Sequence, residues 1–198
     1  MMRIITGSAR GVRLDTLEGD MTRPTTERAK EAVFSILRTR MDFTGKRVLD
    51  LFAGCGQLGL EALSVGAAHA VLVDQSGEAV RVIRKNADKT RLADRCTVLC
   101  SDAASYLRSR RGQDPFDCIF LDPPYAMHAV AATVEDILRA RLLAPGGLIV
   151  CESGDPDPLG FGTGTDLSGH FTLLREARYG KAYITVVTAA PAAGGGKV

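Results

Sequence analysis

The chain has 198 residues, 45% of them hydrophobic, which is enough for one sizeable core and too little for a second full domain. Charged residues make up 24% and the formal net charge is only +2, so no overall positive field draws the protein to nucleic acid. Any such contact has to come from local patches. The five cysteines (Cys55, Cys96, Cys100, Cys118, Cys151) are odd in number and form no Cys-x-x-Cys pair, which speaks against a disulfide framework and a zinc ribbon. The start Met1-Met2-Arg3-Ile4-Ile5 lacks the apolar stretch of a signal peptide, and no run reaches transmembrane length. A soluble, cytoplasmic protein without a metal or a membrane partner is expected.

Residues 1–42 predict a hairpin (Arg3 to Thr6 and Val12 to Leu14), a turn-rich segment, and a helix entered through Arg23-Pro24-Thr25-Thr26. Thr25 or Thr26 can cap that helix, and Ala29, Val33, Ile36 and Leu37 form its apolar stripe. This part is expected to be a small extension of a main domain over residues 43–190.

From Lys46 onward apolar runs alternate with helical patterns. The runs are Arg47 to Phe52, Ala70 to Asp74, Thr97 to Cys100, Phe116 to Asp122 and Leu148 to Glu152; the helices are Leu58 to Val65, Gly77 to Thr90, Ala103 to Arg110 and Val130 to Leu142. That alternation predicts an α/β fold on a parallel sheet. Ala144-Pro145-Gly146-Gly147 reads as a breaker and turn before the fifth strand, and the stretch from Gly154 to Gly169 as a long surface loop. Phe171 to Ala177 and Ala182 to Thr188 are two last strands, made antiparallel to each other by the short turn Tyr179-Gly180-Lys181. Residues 191–198 have the composition of a flexible tail. Cys96 and Cys100, four apart in a strand, share a face and read as small core residues.

The first strand runs into Ala53-Gly54-Cys55-Gly56-Gln57-Leu58-Gly59, a Gly-x-Gly-x-x-Gly at a strand-to-helix turn, where bare backbone lets a nucleotide-type cofactor approach. A tight turn with close helix packing would use the same glycines. Asp50 separates two cofactor classes, because a carboxylate ahead of the loop repels a pyrophosphate but suits the ammonium and sulfonium of S-adenosylmethionine. Asp74, about twenty residues beyond the loop, is placed to accept hydrogen bonds from both ribose hydroxyls. Asp102 either receives an adenine amino group, with Ala103 offering a backbone amide, or caps the helix that follows. Phe52, Ala53, Gly54, Gly56 and Gln75 complete the expected cofactor surface.

Asp122-Pro123-Pro124-Tyr125 ends the fourth strand and is the most specific motif. An amino group on an aromatic base is a poor nucleophile, because its lone pair is delocalised into the ring. Asp122 and the Pro123 carbonyl can accept its two hydrogens and favour a pyramidal nitrogen aimed at a methyl sulfonium. Pro123 and Pro124 stiffen the loop, and Tyr125 offers a face for stacking an unpaired or flipped-out base. No strong general base is needed, since the nitrogen becomes acidic only after it is methylated. His128 either touches substrate or is an ordinary loop histidine.

These features resemble class I methyltransferases and, among them, the bacterial 16S ribosomal RNA guanine-N2 methyltransferases of the RsmD family. The resemblance spans nearly the whole chain. It is carried by Met2-Arg3-Ile4-Ile5-Thr6-Gly7 with Arg10-Gly11, Arg23-Pro24-Thr25-Thr26-Glu27-Arg28 leading into Glu31-Ala32-Val33-Phe34, Asp50 to Gly54, Leu58 to Leu63, and Asp122 to Tyr125. It implies a Rossmann-like seven-stranded sheet with an antiparallel last strand, S-adenosylmethionine as cofactor, and methylation of the guanine at position 966 of 16S rRNA during assembly of the 30S subunit. The chain departs from the family pattern at Cys55, Gln57, Asp74 and Ser8.

Arg3, Arg10, Arg13, Arg23, Arg28 and Lys30 could gather into a basic surface beside the site; Arg3, Arg10, Arg23, Thr25 and Arg28 are the candidate RNA contacts. Asp15, Glu18, Asp20, Glu27 and Glu31 dilute that charge, so an ordinary solvated distribution fits equally. Arg81, Arg84, Lys85, Lys89 and Arg91 read as the wet face of a helix. Two other functions share these motifs: adenine-N6 methylation of DNA or RNA, and a non-catalytic RNA-binding assembly protein. A monomer is expected.

Overall fold

The computed structural model describes residues 2–17, 24–162 and 167–190, with the side chains of residues 24–27 left aside. Its elements in chain order are α1 (Pro24–Arg40), β1 (Arg47–Asp50), α2 (Gln57–Ser64), β2 (His69–Asp74), α3 (Gly77–Thr90), β3 (Cys96–Cys100), α4 (Ala103–Ser109), β4 (Phe116–Leu121), α5 (Val130–Ala140), β5 (Leu143–Ser153), β6 (Phe171–Tyr179) and β7 (Ala182–Ala189). The strands form one seven-stranded sheet in the order β3-β2-β1-β4-β5-β7-β6. β1 to β5 pair in parallel, and β7 runs antiparallel to both β5 and β6. This is the Rossmann-like sheet with an antiparallel last strand that the family resemblance implies.

Alternation along the central strands explains why both faces are covered. Val48, Leu72, Phe120 and Val150 join a core with α1, α2 and α3, whereas their neighbours Leu49, Val73, Leu121 and Cys151 join a second core with α4 and α5. Phe34 of α1 lies 5.8 Å from the Phe120 ring and 6.0 Å from that of Phe43, so α1 is part of the first core.

A buried ion pair ties the N-terminal segment down. Lys30 of α1 and Glu61 of α2 are 2% and 0% exposed, with Nζ and Oε2 3.3 Å apart. Glu61 also accepts from the Ile5 and Thr6 amides at 2.7–3.1 Å and from the Thr6 hydroxyl at 3.0 Å. Further along, buried Asn86 of α3 accepts from the Asp15 amide at 2.8 Å and donates to the carbonyls of Asp15 and Cys55, both at 2.9 Å. One side chain thereby joins the N-terminal segment, the glycine loop and α3.

Four sequence expectations need correction. The predicted hairpin narrows to a single antiparallel bridge, Arg3↔Arg13, around a turn held by Ile4 N to Val12 O (3.0 Å) and Gly11 N to Ile4 O (2.8 Å). Ala144 to Gly147 do not precede β5 but lie within it as an irregularity, the register passing from Phe116↔Leu143 to Cys118↔Leu148. Positive φ at Gly146 accommodates that bulge. Cys100 is exposed and Cys96 only half-buried, because β3 is the edge of the sheet and is covered less completely than the strands inside it. In the loop after β5, Leu159 is buried in the second core, so the segment is anchored rather than wholly superficial.

Burial pushes the thiols of Cys96, Cys118 and Cys151 up, to about 12 for Cys96 and Cys151, which keeps them protonated and unreactive. No helix among the described residues is long and apolar enough to cross a membrane.

Candidate active site

Sheet topology sets where the site opens. Chain order runs outward from β1 through β2 to β3 on one side and from β4 to β5 on the other, so the connections leaving β1 and β4 diverge at their C-terminal ends. A cleft of about 760 Å³ opens there. Its lining includes Asp50, Phe52, Ala53 and Gly54 after β1, Asp74 and Gln75 after β2, Asp102 and Ala103 after β3, Asp122 to Tyr125 after β4, and Glu152 of β5. Met2, Thr16 and Leu17 of the N-terminal segment close one side. The two groups of residues predicted separately, for cofactor and for chemistry, therefore share one continuous cavity.

The glycine loop divides its tasks between its two leading glycines. Gly54 has φ +54° and, its chain neighbours aside, no atom of the described residues within 4 Å of where a Cβ would project, so its bare side is open. Gly56 does not line the cleft: at φ +82° it is the N-cap of α2, and a Cβ there would press on Leu72, Ile83 and Leu60 at 3.1–3.3 Å. In that direction Gly56 serves the tight turn and close packing against α2, α3 and β2.

Asp74 fixes this loop from the next strand. Its Oδ2 accepts from the Gly54 amide and its Oδ1 from the Ser76 amide, each at 2.8 Å. A carboxylate oxygen carries two lone pairs, so both still have capacity for the ribose hydroxyls expected from the sequence. Asp102 caps α4 through the Ser105 amide at 2.8 Å, which lowers its pKa, and it also lines the cleft. Capping and cofactor contact are compatible there.

Asp50 lies deeper than a simple charge partner would. It is 1% exposed, and its Oδ2 accepts from the Gly59 amide at 3.0 Å. Burial raises its carboxyl from the ordinary 3.8 to about 7, the Gly59 and Phe52 amides offset part of that, and the charge of Asp74 adds to the rise. Asp50 Oδ1 and Gln57 Oε1, both in residues lining the cleft, are buried acceptors without a hydrogen-bond partner among the described residues. Two orphaned acceptors lining the same cleft as an open glycine fit a ligand with a multi-donor cationic head, and the ammonium of S-adenosylmethionine is one.

This burial has a measurable consequence. A folded pKa raised above the unfolded one contributes stability that is fully present below about pH 4 and lost as pH rises through about 7. Urea unfolding of the apoprotein between pH 4 and 8 should therefore show wild type losing up to about 4 kcal/mol relative to Asp50→Asn as pH rises. Parallel pH profiles for the two proteins would refute the assignment.

At the other end, Tyr125 is 40% exposed and fixed at its tip, its hydroxyl donating to Glu152 Oε1 at 2.9 Å. Gly154 lies against its ring, where a Cβ would meet Cγ and Cδ2 at 3.1 Å. Burial pushes the Glu152 carboxyl up, and the Tyr125 hydroxyl holds it partly down. His128 is exposed, with Nδ1 2.7 Å from Asp155 Oδ2. The motif reading did not single out Glu152 or Gln57; only the register of β5 beside β4 and the start of α2 bring them to the cleft.

Of the candidate RNA contacts, Arg3, Arg10 and Arg28 are exposed, whereas Arg23 and the Thr25 side chain lie outside what is described. Arg81, Arg84, Lys85, Lys89 and Arg91 are exposed on and just after α3, as a wet face should be, with Lys85 and Lys89 paired to Asp15.

Fold and cleft together define an S-adenosylmethionine-dependent methyltransferase of class I. More narrowly, the chain belongs to the RsmD family, whose model, described as Conserved hypothetical protein 95, matches residues 2–188. Ribosomal RNA small subunit methyltransferase D of Haemophilus influenzae is 30% identical, covering 90% of this chain and 89% of its own. The Escherichia coli K12 protein of the same name is 36% identical over 77% and 74%. The solved structure of Escherichia coli yhhF superposes with a TM-score of 0.79 at 30% identity, covering 95% of this chain and 97% of that one.

Proposed function

We propose that the protein methylates the exocyclic N2 amino group of a guanine in 16S rRNA, with guanine 966 as the target, in the cytoplasm. The substrate is a partly assembled 30S subunit, and the enzyme acts as a monomer. The observation that carries this reading is the single cleft joining the glycine loop to Asp122-Pro123-Pro124-Tyr125. The names of the relatives, ribosomal RNA small subunit methyltransferases, support the choice of RNA.

When bound, S-adenosylmethionine supplies an electrophilic methyl group on a sulfonium. Gly54 gives its backbone room, Asp74 takes the ribose hydroxyls, Asp102 and Ala103 face the adenine, and Asp50 with Gln57 faces the ammonium. On the acceptor side, Asp122 and the Pro123 carbonyl draw the two amino hydrogens out of the base plane, which localises the nitrogen lone pair. Tyr125 stacks the base. Once methylated, the nitrogen is acidic and its proton passes to the Asp122 carboxylate or to water. Arg3, Arg10, Arg23, Thr25 and Arg28 hold neighbouring phosphates.

Methyl transfer to naked 16S rRNA and to partly assembled subunits, followed by nucleoside digestion and mapping, tests this reading. N2-methylguanosine at one site is expected. N6-methyladenosine in its place would assign the enzyme to the other amino group that the motif accommodates.

A further inference from the structure

Glu152 has no part in the motif chemistry, yet it lines the same cleft from the strand beside β4. β4 and β5 pair in parallel with Leu121 opposite Cys151, so Asp122 and Glu152 follow one step further at the C-terminal ends of adjacent strands. Neighbouring strands lie about 4.8 Å apart. Both residues line the same cleft, and Tyr125, on which the base stacks, donates its hydroxyl to Glu152 Oε1 at 2.9 Å. A half-buried carboxylate thus stands beside the acceptor of the reacting amino group, with the Tyr125 hydroxyl as its hydrogen-bond donor among the described residues. A carboxylate partly withdrawn from water calls for more than one donor.

The three bases with an exocyclic amino group differ at the ring nitrogen next to it. Beside N2, guanine carries N1–H, a donor. Adenine N1, beside N6, and cytosine N3, beside N4, are bare acceptors. A carboxylate adjacent to the Asp122 position completes its hydrogen bonding with the first and repels the lone pair of the other two. A site built to accept a hydrogen bond discriminates strongly against a ligand that cannot donate it, because the buried group is left unpaired.

We propose that Glu152 is the specificity-determining residue, its carboxylate accepting the N1–H of the target guanine while Asp122 and Pro123 hold the N2 amino group. The inference rests on the guanine-N2 reading above and adds to it the reason that adenine and cytosine are refused. Tyr125 has two duties: its ring stacks the base, and its hydroxyl sets the carboxylate.

The discriminating substrate is 2,6-diaminopurine, which keeps the 2-amino group but presents a bare N1. Placed at the modified position of the RNA or particle that supports transfer, it should be methylated by wild type on the order of 10³-fold less efficiently than guanine in kcat/KM. Glu152→Gln, isosteric and able either to accept from N1–H or to donate to bare N1, should reduce that preference below about tenfold. Its affinity for S-adenosylmethionine, measured by calorimetry, should match wild type. A Glu152→Gln enzyme that keeps the wild-type preference overturns the proposal. So does a wild-type enzyme that treats the two bases alike, an outcome that needs no variant. Failure of the underlying reading looks different: wild type would then form no N2-methylguanosine from the guanine substrate at all.

Discussion

Asp122→Ala is expected to slow methyl transfer by about 10³-fold or more while leaving affinity for S-adenosylmethionine unchanged. An aromatic amine keeps its lone pair in the ring until its hydrogens are drawn from the ring plane, and that distortion develops fully only in the transition state. A group that accepts those hydrogens is worth most at that moment, so its loss appears in kcat rather than in binding. Asp122 follows β4, whereas Asp50, Gly54 and Asp74 belong to β1, the loop after it and β2. Asp122→Asn keeps one acceptor oxygen but brings an amide toward the substrate amine, so an intermediate loss near 10²-fold is expected. Single-turnover transfer and calorimetry on the same preparations give the two quantities. Parallel losses of rate and cofactor affinity would mean that Asp122 belongs to the cofactor surface.

What the sequence made legible and what it hid follow a physical division. Elements whose signal is local were readable: the alternation of apolar runs and helical stripes, the glycine loop after β1, and Asp122 to Tyr125 after β4 all occupy their expected places. Features that depend on register or on which strand lies outermost were not. Cys100 reads as core until β3 is seen to be an edge. Glu152 reads as the plain end of a strand until β5 is paired with β4 and its carboxylate meets the Tyr125 hydroxyl 27 residues earlier in the chain. Gly56 satisfies the cofactor pattern as well as Gly54 does, and only the direction in which each would project a Cβ separates packing from access. Asp50 was legible as an acid inside an apolar strand, but not the amide of Gly59 at the start of α2 that its carboxylate accepts from at 1% exposure.

Glu61→Ala is expected to destabilise the fold by about 3–5 kcal/mol, the cost of removing one partner from a buried charge pair. Lys30, 2% exposed, loses the Glu61 carboxylate while keeping the Arg3 carbonyl at 2.6 Å, and the Ile5 and Thr6 amides lose their acceptor. Glu61→Gln separates the two contributions, since a carboxamide oxygen still accepts from an amide but brings no charge to Lys30; its cost should be smaller. Urea unfolding at neutral pH measures both variants. A loss below about 1 kcal/mol for Glu61→Ala, the range of exposed pairs, would show that the pair does not hold the segment. The effect should reach the cleft as well. The residues held by Glu61 lead through Leu14 to Thr16 and Leu17, which line the cleft, and Asn86 ties Asp15 to the Cys55 carbonyl of the glycine loop. Loosening the anchor frees that wall, so Glu61→Ala should bind S-adenosylmethionine more weakly even where it remains folded. In this respect it differs from Asp122→Ala, which spares binding and removes the chemistry.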